Sequence, residues 1–217
     1  MMKKLLILLL VLLCGCAQQP EERASLEMPD IDETKVLIAY FTWAENTVVE
    51  NESAIDPDAT TSASVLLPGN AGQMATWIQE EIGGDLFSIV VEDPYSNDYD
   101  ECLERAADEK ADAARPNLIH QVENIDDYDV VYLGFPNWWY TCPMAIFSFV
   151  ETYDLSDKVI VPFVTHGTGG FANTIDDLKA ELPQSYFMEA IGIEREDVSQ
   201  SENIVKDWAR HTQQELS

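Results

Sequence analysis

Basic residues are scarce in this chain: 12 lysines and arginines face 40 aspartates and glutamates, for a net charge of −28. Such a chain repels nucleic acid and anionic lipid headgroups, so neither suits its surface as a partner. Cysteine is scarce as well, with four in 217 residues, two of them at positions 14 and 16. There is no CxxC pair, and His120, His166 and His211 lie far apart, so no metal-ligand spacing is present. The glycine-rich patterns GxGxxG and GxxxxGK[ST] are both missing, which removes the common nucleotide fingerprints. Long apolar runs are missing too. The longest, Leu5 to Leu13, is too short to cross a bilayer as a helix.

What is present begins with that run. Met1-Met2-Lys3-Lys4 is a basic start, the apolar run follows, and Leu13-Cys14-Gly15-Cys16 resembles a bacterial lipobox. The expectation is a signal peptide over residues 1–15, lipidation of Cys16, and a polar tether over 16–34. The mature protein is then an extracytoplasmic lipoprotein held to the membrane by its N-terminal lipid. Cleavage removes Lys3 and Lys4 and takes the net charge from −28 to −30. This acidity suits docking to a basic partner or serves solubility alone. Cys102 and Cys142 are left as a possible disulfide or as two separately packed thiols.

Residues 35–217 are one domain's length. Lys35–Phe41, Leu86–Val91, Asp129–Phe135, Lys158–Thr165 and Tyr186–Ile193 are apolar runs that read as strands. Between and after them, Ala71–Ile82, Asp100–Ala114, Pro143–Tyr153, Ala172–Leu182 and Ser201–Glu215 carry helical spacing or composition. Five strands alternating with five helices imply an α/β fold with a parallel sheet covered on both faces. Pro162 interrupts a predicted interior strand, and a local bulge would accommodate it. Thr42 to Pro68 is one long irregular segment.

Ligands of open parallel sheets bind beyond the C-terminal strand ends, where strand order reverses. Three loops qualify. The first runs from Thr42 and Trp43 and re-enters helix through Gly69 and Asn70; a helix N-terminus there can hold a phosphate without cations. Its Glu45 and Glu50 would repel a phosphate if turned inward. The second loop is Pro136-Asn137-Trp138-Trp139-Tyr140, in which an indole can carry a flat conjugated ring. The third is Thr165-His166-Gly167-Thr168-Gly169-Gly170, whose glycines let backbone approach a ligand edge. His166 there either places positive charge by the ligand or is a hydrogen-bonded structural group.

Val36–Trp43, Gly69-Asn70, Gly84-Asp85-Leu86-Phe87, Tyr132–Trp139 and Thr165–Gly170 together resemble the flavodoxin-like family, in its lipoprotein or secreted branch. The resemblance implies a three-layer sandwich with a five-stranded parallel sheet of order 2-1-3-4-5, holding flavin mononucleotide (FMN). Thr42, Trp43, Gly69 and Asn70 would then surround the phosphate. Pro136, Asn137, Trp138 and Trp139, with Tyr140 beside them, would contact the isoalloxazine and ribityl chain. Thr165, His166, Gly167, Gly169 and Gly170 would line the other edge. One departure stands out: about 25 residues, Ala44 to Pro68, interrupt the usual compact phosphate loop. Thr60-Thr61-Ser62-Ala63-Ser64 could replace its hydroxyls, or the insert could cover the site.

The implied function is an FMN-binding redox protein, an electron carrier that serves a basic redox partner protein or a small-molecule electron acceptor. An FMN-dependent NAD(P)H or quinone oxidoreductase is the alternative, and a flavin-free binding domain of the same fold is the second. The leader has no twin-arginine pair, which points to FMN acquired outside the cytoplasm. Negative surroundings would lower the flavin's potential.

Overall fold

The computed structural model describes residues 35–62 and 64–216. The predicted signal peptide, the lipidation site Cys16 and the tether 16–34 lie outside these residues. No helix among them is long and apolar enough to cross a membrane.

In chain order the elements are β1 (Val36–Tyr40), α1 (Pro57–Ser62), α2 (Asn70–Ile82), β2 (Asp85–Ser88), α3 (Tyr99–Ala111), β3 (Val130–Pro136), α4 (Met144–Thr152), β4 (Val159–His166), α5 (Thr174–Glu181), β5 (Tyr186–Phe187), β6 (Ile191–Glu194) and α6 (Glu202–Glu215). The strands form a parallel sheet of order β2-β1-β3-β4-β5, with β6 also paired to β4. This is the order that the resemblance implied.

Strand alternation sorts the core onto two faces. Val131, Leu133 and Phe135 of β3 join Leu37, Ala39 and Phe41 in a cluster that α4 completes with Ile146, Phe149 and Val150. Val130 and Tyr132 face the other way, into a cluster with Ile38, Met74 and Ile78 of α2 and Val205 and Ala209 of α6. Of the apolar positions 71, 74, 75, 78 and 82 that mark α2, Ala71, Met74, Ala75 and Ile78 are buried and Ile82 is half-buried; Gly72 and Trp77 are buried beside them. Asp98 caps α3 by accepting from the Glu101 N–H at 3.0 Å.

The irregularity expected at Pro162 falls on one side of β4: the edge strand opposite it takes up one extra residue, the register passing from Ile160↔Phe187 to Phe163↔Ile191, and the β3 side shows no bulge. The β3–β4 register runs unbroken through Leu133↔Pro162. Val159 N–H donates toward β3, to Asp129 O, so by alternation the nitrogen of Pro162 faces the opposite side. On that side Ile160 O accepts from Met188 N–H and His166 O from Arg195 N–H. Pro162 thus falls where the edge strand is broken. The predicted strand Tyr186–Ile193 is accordingly two pieces, β5 and β6, because a proline offers that edge no donor at its midpoint. The predicted strand Leu86–Val91 likewise ends early, at Ser88.

The insert is structured. It holds α1 and two 3₁₀ turns, Ala44–Asn46 and Glu52–Ala54. The buried Asn46 amide donates to Thr42 O at 2.8 Å and to Ile89 O at 3.0 Å, and its oxygen accepts from Val91 N–H at 2.8 Å. Ala59 and Val65 of the insert reach the core. Cys102 and Cys142 are separate buried thiols.

Candidate functional site

At the C-terminal end of the sheet lies an open cleft, with about 780 Å³ of empty space when the solvent at its mouth is included. The loops after β1, β3 and β4 meet there, as expected at a reversal of strand order. Among its described lining residues there is no aspartate or glutamate, and Arg195 is the one charged side chain. In a chain of net charge −28, such a lining leaves this surface open to an anion.

The first wall is the loop after β1 and the start of α2. Thr42 is buried, and its Oγ1 accepts from Glu45 N–H at 3.1 Å. Trp43 is 2 % exposed and its indole N–H donates to Ser96 O at 3.0 Å. Gly69 precedes α2 with φ +69, and a Cβ there would lie 2.9 Å from Thr42 Cβ. Only glycine lets the helix begin this close to the loop. The first intrahelical bond runs from Gln73 N–H to Gly69 O, and the first turn of α2 holds no acidic residue. Its N–H groups therefore present the positive end of the helix dipole to Asn70 and Ala71, which line the cleft. Glu45 is held away by Tyr40 OH at 3.0 Å and by Ser88. Burial, then the Glu45 carboxylate, pushes the Tyr40 phenol up to about 12.

Aromatic rings form the second wall. Phe41 and Tyr95 meet Trp138 edge-on, with centroids 5.4 and 5.2 Å away. Tyr95 is in turn fixed by Arg105 over its ring and by its hydroxyl donating to Glu109 at 2.7 Å. Trp138 is half-buried in this frame and still lines the cleft. Trp139 is 42 % exposed, and its indole N–H crosses to Leu103 O of α3 at 3.0 Å. Trp138 and Thr141 exchange two backbone hydrogen bonds of 3.0 Å around Trp139 and Tyr140, whose φ values are +50 and +68. This is a tight turn of the kind that favours Asn-Gly, built here from two bulky aromatics. Left-handed backbone at such residues is strained and clusters at functional sites.

The third wall follows β4. Asn137 ties it to the second: its N–H donates to Thr165 O and its amide to Gly170 O, both at 2.7 Å. His166 Nδ1 lies 2.9 Å from Gly167 O; a carbonyl only accepts, so Nδ1 carries the hydrogen.

A flavodoxin family model matches residues 59–212. The chain belongs to the flavodoxin family. Among solved structures, a candidate flavoprotein from Bacteroides eggerthii is 26 % identical, with a TM-score of 0.58 over 80 % of this chain and 98 % of that one. A candidate flavoprotein from Bacteroides uniformis is 24 % identical, with a TM-score of 0.62 over 82 % and 98 %. A flavoprotein from Lactobacillus acidophilus, solved in complex with FMN, is 16 % identical, with a TM-score of 0.54 over 77 % and 98 %. No curated protein matches the chain.

In this flavodoxin-family cleft the structure brings together Thr42, Trp43, Asn70, Pro136, Asn137, Trp138, Trp139, Thr165, His166 and Gly167. It does not bring in Gly69, Tyr140, Gly169 or Gly170. Gly69 sits behind the wall as a spacer. Tyr140 is 63 % exposed and packs against Gly169 on the rim. Of the hydroxyl-rich run in the insert, Ser64 lines the cleft. Sequence reasoning missed Tyr99, Cys102, Leu103 and Ala106 of α3, and Arg195. The sequence marks α3 by composition alone, and Cys102 only as a thiol that is paired or packed. Burial drives the Cys102 thiol up to about 12, so it is an inert wall at neutral pH.

Proposed function

We propose that this member of the flavodoxin family binds FMN in the cleft and works as a redox protein, tethered outside the cytoplasm by its N-terminal lipid. One observation carries the reading: a cleft whose described lining residues include no carboxylate, with an indole along one side and a helix N-terminus at the other, in a strongly acidic protein. The fit is chemical. The Asn70–Ala71 start of α2 suits a phosphate, with Thr42 and Ser64 hydroxyls beside it. The Trp138 surface suits a flat conjugated ring, and its fixed frame means little ordering on binding. Asn137 holds the loops after β3 and β4 at a set separation.

Bound flavin would supply one- and two-electron transfer. The chain's own part is to orient the ring, exclude water with Trp43, Tyr99 and Leu103, and hold His166 with its Nδ1 hydrogen committed to Gly167. The acidic exterior suits a basic redox partner.

Adding FMN to the purified protein tests this. Binding is expected to quench flavin fluorescence and shift the visible absorption bands. A colourless protein that leaves FMN fluorescence unchanged at high concentration removes the reading in favour of a flavin-free domain. Rapid, repeated bleaching by NAD(P)H would assign an oxidoreductase; inertness to NAD(P)H with reduction by a protein donor would assign a carrier.

A further inference from the structure

Arg195 stands out because of where a −28 chain has placed it. It directly follows β6, far from the loops that the sequence pattern marks, yet it lines the cleft. Three contacts fix it there. Its N–H donates to His166 O at 2.9 Å, its own carbonyl accepts from the Asn70 side chain at 3.0 Å, and its guanidinium lies beside Gly167. A Cβ on Gly167 would sit 3.6 Å from Arg195 Cζ, ordinary van der Waals contact, which puts the guanidinium directly against this turn. The Asn70 contact ties this cation to the first residue of α2.

The guanidinium's present partner is Glu196, its chain neighbour, at 2.9 Å from Nε. Both side chains reach solvent, at 36 % and 57 % exposure. A contact of that kind is weak and readily exchanged. A phosphate offers more charge than a carboxylate and oxygens in the geometry that a guanidinium forks onto. The inserted segment has displaced the compact hydroxyl-rich loop that the family resemblance implies, so a counter-charge from another element fits the gap.

Resting on the FMN reading above, we propose that Arg195 is the counter-charge for the ligand's phosphate and makes the cleft select FMN over uncharged riboflavin. Asn70 acts as its positioning residue, through the bond to the Arg195 carbonyl.

The experiment measures the affinity of FMN and of riboflavin for the purified wild-type chain and for Arg195→Ala, Arg195→Lys and Glu196→Gln, with circular dichroism as the folding control. In Arg195→Ala, FMN affinity is expected to fall about 10- to 100-fold, as for a lost hydrogen bond to a charged group, while riboflavin affinity holds. Arg195→Lys restores part of the preference, and Glu196→Gln, by removing the competing carboxylate, raises FMN affinity about two- to fivefold. A parallel loss of both flavins, or an FMN-to-riboflavin ratio unchanged in Arg195→Ala, overturns the inference and leaves the FMN reading standing. Should Arg195→Ala not fold, a Glu196→Gln variant that binds FMN no tighter overturns it. A wild-type protein that binds neither flavin overturns both.

Discussion

Two adjacent residues show how much local conformation this fold tolerates at its cleft. Trp139 and Tyr140 both hold positive φ, at a cost of about 1–2 kcal/mol for each L-residue. They keep it because neighbours over-determine the turn. Lys110 Nζ donates to Trp139 O, Asn173 N–H to Tyr140 O at 3.2 Å, and the Trp139 indole to Leu103 O. Of the pair, only Trp139 lines the cleft. Tyr140→Gly should therefore relieve strain without touching the ligand wall. The expected result is a gain of about 1 kcal/mol in unfolding free energy, after glycine's larger unfolded-state entropy is allowed for. Urea unfolding would read this, and FMN titration should show the affinity unchanged. A stability loss would mean that packing of Tyr140 on Gly169 outweighs the backbone term.

At the scale of elements, the centre of the sheet is tighter than its edge. Gly134 of β3 pairs with Phe163 of β4, and the Phe163 ring lies over it. A Cβ at Gly134 would come 2.0 Å from two ring carbons. Gly134→Ala must push the ring out of a fully buried position, and overpacking of this kind costs about 1–3 kcal/mol. Denaturant unfolding should show that loss. An unchanged midpoint would mean that the ring has somewhere to go. The opposite edge of β4 behaves differently, since Pro162 offers no donor and the fifth strand simply divides there. That division matters for the cleft, because β6 resumes pairing at Phe163↔Ile191 and delivers Arg195 beside His166.

For the molecule as a whole, several phenols and two thiols are buried in their neutral forms. Burial, joined by the Glu45 carboxylate at Tyr40 and by Asp85 at Tyr128, raises these two from 10.0 to about 12. Burial raises Tyr95 and Tyr132 further. A pKa raised by folding means that the native state holds the proton more tightly. The stabilisation is complete below pH 10 and is lost as pH climbs toward 12. Thermal unfolding followed from neutral to alkaline pH should show the midpoint steady up to about pH 9–10 and falling beyond it. Phenolate absorbance should appear together with unfolding. Phenolate formation well before any loss of helix signal would show that these hydroxyls are reachable in the native state.

The alternation of elements, the two faces of the sheet and the strand-end loops were legible in the sequence because each depends on neighbours a few positions apart. Met74 and Ile78 share a helix face, Val131 and Leu133 share a strand face, and Trp138 follows the end of a strand. The tertiary structure alone decided what distant segments do to one another. It turned Glu45 away from the cleft onto Tyr40, moved Tyr140 and Gly169 to the rim, and used α3 as a wall. It kept Cys102 and Cys142 apart. It also set Arg195 against Asn70, 125 residues away along the chain. No local period or motif encodes such a meeting, because it exists only once the sheet has closed and the ends of β1, β3, β4 and β6 share one edge.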